Sequence, residues 1–168
     1  MPSRMPIVRH ATPADIPALL DLADELVAYD RTYDPSLDSR YNRSHEGMAW
    51  LTGVFTDADA AVFVSQTNPN AAPDGMLFGH VAPPPPWRET GGQLAEIEML
   101  CVNAAQRGHG AGASLINAFA AWARKRGATR LAVRVSAPNI RSLHFYRREG
   151  FADYDIVLER PLQSLEES

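Results

Sequence analysis

The stretch Val102-Asn103-Ala104-Ala105-Gln106-Arg107-Gly108-His109-Gly110-Ala111-Gly112-Ala113 decides the reading of this chain. It joins an apolar run that ends at Val102 to an amphipathic run that starts near Gly110, so it reads as strand, short connector, glycine turn and helix. Glycines at 108, 110 and 112 let successive main-chain N–H groups turn toward one point without interference from Cβ atoms. The helix N-terminus behind them adds unpaired donors and partial positive charge. Together they make a site for an anion, phosphate or pyrophosphate in particular. A tight turn packed against a sheet would use the same glycines.

Two familiar phosphate loops fit poorly. A P-loop needs a Lys after its second glycine, and none stands here. Gly108-x-Gly110-x-x-Ala113 matches the dinucleotide fingerprint in letters only. No acid closes the next strand, where Arg134 stands instead, and about sixty residues remain, too few for a doubly wound fold.

Working outward, Leu94 to Val102 reads as a strand, with Glu96, Glu98, Leu100 and Val102 expected on one face. Gly110 to Arg126 reads as a helix with the stripe Leu115, Ile116, Phe119, Trp122 and Ala123. Cations in its last turn and Gly127 close it. Leu131 to Val135 is a strand candidate, Ile140 to Arg148 a short helix and Asp155 to Glu159 a last strand. On the N-terminal side, Ile7-Val8-Arg9 is a short strand. Thr12-Pro13-Ala14-Asp15 has capping-box spacing and starts a helix that ends near Tyr29. A second helix is expected from Ser44 through Phe55, and strands over Ala61–Ser65 and Met76–Val81, joined by a turn-rich segment from Asn68 to Gly75. The prolines at 83–86 predict an extended loop reaching Gly92. This alternation predicts an α/β fold, a mixed and mostly antiparallel sheet flanked by helices in a single domain over residues 1–168, with its core at about 7–160 and a frayed tail.

Composition bounds the rest. The chain has 168 residues, a formal charge of −4 and one cysteine. No apolar run is long enough for a transmembrane helix, and the first residues lack the apolar region of a secretory signal. A lone Cys101 excludes an internal disulfide framework and a multi-cysteine metal site, so a cytoplasmic location without membrane attachment is the expectation. Mild acidity argues against a nucleic-acid binder. The charge is uneven: residues 103–150 hold nine Lys/Arg and one acid, and the rest hold seven and nineteen. A basic segment in an acidic protein suits a polyanionic small ligand, or is a solvated face.

At this point the chain resembles the N-acetyltransferases of the GNAT family. Their signature Gln/Arg-x-x-Gly-x-Gly/Ala is met by Arg107-Gly108-His109-Gly110-Ala111-Gly112. A second feature is an Asn followed seven residues later by a Tyr and then a Gly-Phe; here Asn139, Tyr146 and Gly150-Phe151 have that spacing, with Ser142 between the first two. The opening Ile7-Val8-Arg9-x-Ala11-Thr12-x-x-Asp15 is similar as well. The resemblance covers about residues 7 to 160.

The resemblance implies acetyl-CoA as co-substrate and no metal. The pyrophosphate would sit on the amides of Arg107, Gly108, His109, Gly110, Ala111, Gly112 and Ala113. The pantetheine arm would run beside Leu100, Cys101 and Val102. Asn139 would bond the pantetheine or fix the strand end, near Ser142. Tyr146 would protonate the leaving thiolate, and Glu98 or Glu96 would act as base, directly or through a water, with a pKa raised by burial. The ribosomal-protein alanine acetyltransferases carry their base five residues before the Asn; Arg134 stands there in this chain. Cys101 reads as a core residue rather than a nucleophile, which favours direct transfer. The histidines, His80 among them, read as ordinary polar residues.

The implied function is N-acetylation of a primary amine on a small molecule or peptide. A non-catalytic acyl-CoA-binding or regulatory module is the alternative. The first helix and the loop after it hold Asp15, Asp21, Asp24, Glu25, Asp30, Asp34 and Asp38. A cationic acceptor and a solvated helix face explain these acids equally well. The sequence leaves the oligomeric state open, a homodimer included.

Overall fold

A computed structural model describes residues 5–84, 86–87, 91–160 and 162. The proline loop falls partly, and the tail after Leu158 largely, outside or at the margin of the described residues.

Strand β1 (Ile7–His10) leads through a 3-10 turn at Pro13–Asp15 into helix α1 (Ile16–Asp30). The capping box forms as its spacing predicts: the Asp15 carboxylate accepts from the Thr12 main-chain N–H at 2.8 Å. Asp15 is buried, and Arg9 grips it with two hydrogen bonds of 2.8 Å. The arginine holds its carboxyl at a pKa of about 2, well below the usual range. Helix α2 (His45–Val54) starts on Ser44, whose hydroxyl accepts from the Gly47 N–H.

Strands β2 (Ala60–Gln66), β3 (Gly75–Ala82) and β4 (Gln93–Val102) follow, then helix α3 (Ala111–Arg124), strand β5 (Ala128–Val133) and helix α4 (Ile140–Arg148). The sheet order is β1-β2-β3-β4-β5. The first three pairings are antiparallel, and β4 with β5 is parallel, because α3 crosses between them.

Both faces of the sheet are covered, which explains why β2 and β3 are apolar without alternation. On one face, Leu115, Phe119 and Trp122 of α3 bury against Phe63, Leu77 and Ile97, and Phe145 and Tyr146 of α4 join them. On the other, Leu19 and Leu22 of α1 and Val54 of α2 pack on Val62, Val64, Met76, Phe78 and Cys101.

Two expectations are corrected. The first concerns the faces of β4. Opposite β3, Phe78 pairs with Met99 but Gly79 pairs with Ile97, so Glu98 is an extra residue, a β-bulge. A bulge shifts the two-residue period by one, so side chains beyond it change face. Leu100 and Val102 therefore point to the α3 side, whereas Cys101 and Met99 pack on the α1 side; Glu96 and Glu98 share the His80 face of the sheet, at the surface. Glu96 and Glu98 do not share a face with Leu100 and Val102. The second concerns Asp155–Glu159. That segment forms no strand, and its side chains are exposed. Strand β5 also begins three residues earlier than its apolar run suggests, at Ala128.

Candidate active site

Strand β4 is the axis of the site. Its ladder with β5 ends at the pair Ile97–Val133, yet β4 itself runs on to Val102. Over residues 98–102 the edge that faces away from β3 has no strand beside it among the described residues, and a wedge opens between β4 and the chain leaving β5. Its main-chain groups are available to an extended ligand, since β3 takes up only the opposite edge.

The glycine loop closes one end of this wedge. Gly108 and Gly110 adopt φ values of +83° and +86°, the left-handed region that a Cβ atom disfavours. Gly110 is the N-cap of α3 and brings no side chain to cap it. The first-turn N–H groups of Ala111, Gly112 and Ala113 are thus left for an external acceptor. Gly112 has a different reason: a Cβ there would lie 2.9 Å from Phe145, so this glycine lets α4 approach α3. The Arg107 side chain turns inward, donating to the Val102 carbonyl and to Glu25, each at 2.7 Å. It braces β4 against α1, and only its main chain faces the loop's concavity. His109 stays near its own loop, 3.3 Å from the Gln106 carbonyl.

Asn139 is buried and caps α4, its Oδ1 accepting from the Ser142 N–H at 3.1 Å. Tyr146, on the same helix, is half-buried among Phe145 and Phe151. Burial and the negative charge of Asp30 push its phenol above the ordinary tyrosine value. Cys101 feels the same surroundings: burial, with Glu25 and Asp30 nearby, raises its thiol to about 11. The C-terminal end of α1 therefore stands close to both groups, a neighbour that sequence spacing did not reveal.

At the mouth of the wedge the bulge sets Glu98 beside His80 of β3, with Nδ1 and Oε1 3.2 Å apart. Glu96 sits directly across from His80 in the ladder, and one ligating atom from each of the three lies within 4.8 Å of the others. This trio is the one His/Cys/acid grouping among the described residues that could hold a metal ion. Arg134 lies 3.4 Å from Glu96 and places one positive charge there already. Neither carboxylate is enclosed, Glu96 being 26% and Glu98 44% exposed. Beside them a cleft of about 530 Å³ is lined by Trp50, Asp57, Phe78, His80 and Glu98. His80 carries no signal in the sequence; only the β3–β4 register brings it to Glu98.

The acids of α1 are mostly spoken for. Arg43 holds Asp21 and Asp24, Arg9 holds Asp15, and Arg107 holds Glu25. Asp57 and Glu98 line the cleft instead.

Comparison with known proteins bears on the family and the fold. Residues 21–151 match the family model described as the acetyltransferase (GNAT) family. The chain is 29% identical over 140 residues to an uncharacterized N-acetyltransferase of Methanocaldococcus jannaschii, covering 82% of this chain and 59% of that protein. It thus spans less than two thirds of that relative's length. Among solved structures, a mutant of protein BH1408 from Bacillus halodurans superposes with a TM-score of 0.79 at 20% identity, covering 94% of this chain and 99% of that one. An aminoglycoside 6'-N-acetyltransferase from Acinetobacter haemolyticus does so with a TM-score of 0.73 at 16% identity, covering 94% and 98%. These likenesses establish the fold. No helix among the described residues is long and apolar enough to cross a membrane. With more than half of its length matched by the family model, the chain belongs to the acetyltransferase (GNAT) family.

Proposed function

We propose that the protein transfers an acetyl group from acetyl-CoA directly to a primary amine of a small molecule or peptide. The observation that carries this reading is the wedge beyond Ile97–Val133, which starts at Glu98 and ends at the open first turn of α3. A thioester whose phosphates rest on Ala111–Ala113 can lay its extended arm along residues 99–102 of β4, with main-chain pairing that mimics a strand. That puts the acyl end toward the bulge.

The chemistry then divides among this chain's own residues. An ammonium must lose a proton before it can attack the thioester carbonyl. Glu98, steadied by His80, takes that proton, directly or through a water. The nitrogen–carbon bond forms, the carbon–sulfur bond breaks, and the thiolate sulfur receives the phenolic proton of Tyr146; the second proton shed by the nitrogen returns through water to the tyrosinate, and Glu98 gives the first to solvent. Burial and Asp30 raise that phenol's pKa, so it is the protonated form that stands beside the site near neutrality. Cys101 takes no part, because a buried thiol with a pKa of about 11 is not a thiolate near neutrality.

For the acceptor, the cleft beside Glu98 is lined by the acidic Asp57 and the partly exposed Trp50, residue types that suit an alkylammonium. Aminoglycoside N-acetyltransferases are among the fold neighbours, so polycationic amines belong in the panel. The test is acetyl-CoA-dependent thiol release with amines of graded charge. Release with at least one amine, at a rate above hydrolysis, supports the proposal. Tight coenzyme binding without release across the panel identifies a non-catalytic binding module instead.

A further inference from the structure

We infer that His80, Glu96 and Glu98 form a binding site for a divalent transition-metal ion, zinc in particular, and that an ion held there blocks acetyl transfer at the carboxylate the amine needs. The three side chains belong to two paired strands rather than to a loop. His80 stands directly opposite Glu96 in the antiparallel ladder of β3 and β4. The bulge sets Glu98 on the same face, its Oε1 3.2 Å from the His80 Nδ1. One ligating atom from each of the three lies within 4.8 Å of the other two. Directly opposed residues of a ladder keep their Cβ atoms close, so the strand backbone holds these donors together before any ion arrives.

The donor set matches zinc. Zinc takes nitrogen and oxygen ligands at about 2.0–2.2 Å in tetrahedral order, which puts neighbouring donors about 3.3 Å apart. The His80–Glu98 separation of 3.2 Å is close to that value already. Glu96 is partly exposed and needs only a side-chain rotation to join them. Three protein ligands with a fourth position left to water make an open zinc site. The cleft of about 530 Å³ beside His80 and Glu98 supplies that opening. Two carboxylates and a neutral imidazole carry two negative charges, which a dication balances. The imidazole favours zinc over magnesium and calcium, which take oxygen donors in larger number.

The neighbouring charges permit this. Arg134 lies 3.4 Å from Glu96, but its side chain is 91% exposed. An ion pair so open to solvent is weak, and a dication displaces it. Asp57 lines the same cleft and adds negative charge to it. Cys101 is buried, so no surface thiolate draws the ion away. The effect on catalysis rests on the reading of Glu98 as the proton acceptor. A carboxylate oxygen that ligates zinc takes no proton from an ammonium, and the dication repels that ammonium. Inhibition is then competitive with the amine and not with acetyl-CoA, whose phosphates belong in that reading to the first turn of α3.

The experiment is calorimetric titration of zinc chloride into the full-length chain, without acetyl-CoA or amine. One zinc per chain is expected, with no binding of magnesium chloride at the same concentration. His80→Ala and Glu96→Gln are each expected to weaken zinc binding by at least about tenfold while keeping the circular dichroism. His45→Ala, exposed at the start of α2, is expected to leave it unchanged. In a parallel assay that counts acetylated amine by mass spectrometry, zinc is expected to raise the KM for the amine, and excess chelator to restore it. No zinc binding, binding that survives both variants, or binding lost in His45→Ala overturns the site whatever the assay shows. Equal binding of magnesium overturns the choice of zinc. Zinc bound through the trio without inhibition upholds the site and overturns the block, and with it Glu98 as proton acceptor. A chain that binds zinc through the trio but acetylates no amine upholds the site and overturns the block together with the acetyl-transfer reading.

Discussion

The Nδ1 atom of His80 lies 3.2 Å from Oε1 of Glu98, one residue beyond the point where β4 parts from β5. Eighteen positions separate the two in the chain, and a bulge in one strand turns the carboxylate toward the imidazole. A carboxylate and an imidazole, the proton acceptor and its orienting group in the proposed reaction, thus stand where the sheet opens.

Removing that acceptor tests its role. Glu98→Gln is expected to lower kcat by about 100-fold, within the range of a general base, and to leave the KM for acetyl-CoA within about twofold of its starting value, since the carboxylate lies away from the phosphate loop. His80→Gln is expected to cost less, on the order of tenfold, because it acts through Glu98. Steady-state kinetics with the amine found by screening decides this; equal activity in Glu98→Gln would hand the role to Glu96 or to solvent.

Tyr146→Phe should lower kcat by about 10- to 100-fold with coenzyme affinity retained. The sign of the pH dependence follows from its environment. Burial and Asp30 raise the phenol above its ordinary value of about 10, so the donor form persists through that pH. The rate is therefore expected to stay level as pH rises through 10 in the native enzyme, and a fall there would show that the phenol is unperturbed or that another group donates.

The two kinds of glycine in the loop are separable. Gly110→Asp puts a carboxylate at the N-cap of α3 on a left-handed backbone and is expected to weaken coenzyme binding by about tenfold or more, equivalent to about 1.4 kcal/mol. Gly112→Ala instead drives a methyl into the Phe145 ring and is expected to cost about 1–3 kcal/mol of stability. Calorimetric titration reads the first effect and urea unfolding the second.

Asp15→Asn removes the charge that Arg9 and the Thr12 amide hold, and is expected to cost on the order of 2 kcal/mol. The folded pKa of about 2 lies below the usual carboxylate value. The contribution is then complete above about pH 4 and lost as pH falls toward 2. Denaturation curves across that window should converge for the native protein and Asp15→Asn.

Cys101→Ala is expected to keep most of the turnover, and no acetylated cysteine should be found by mass spectrometry after a single turnover. A trapped acyl-cysteine would replace direct transfer with a covalent route.

What the amino-acid order determined by itself is the local layer. Helix periods, the capping box at Thr12–Asp15 and the glycine turn at Gly108 and Gly110 are set by residues within a few positions of one another, so the nine main elements and that turn are legible in the sequence. The tertiary structure decided everything that depends on pairing. The bulge at Glu98 exists only because β3 lies alongside β4, and it reverses the faces of Leu100 and Val102. Arg107 leaves the loop for Glu25, 82 positions away, and Asp30 reaches Tyr146 across the fold. The segment at Ile156–Leu158 carries a strand's composition but has no strand's structure, because a ladder's hydrogen bonds belong to two strands and not to one.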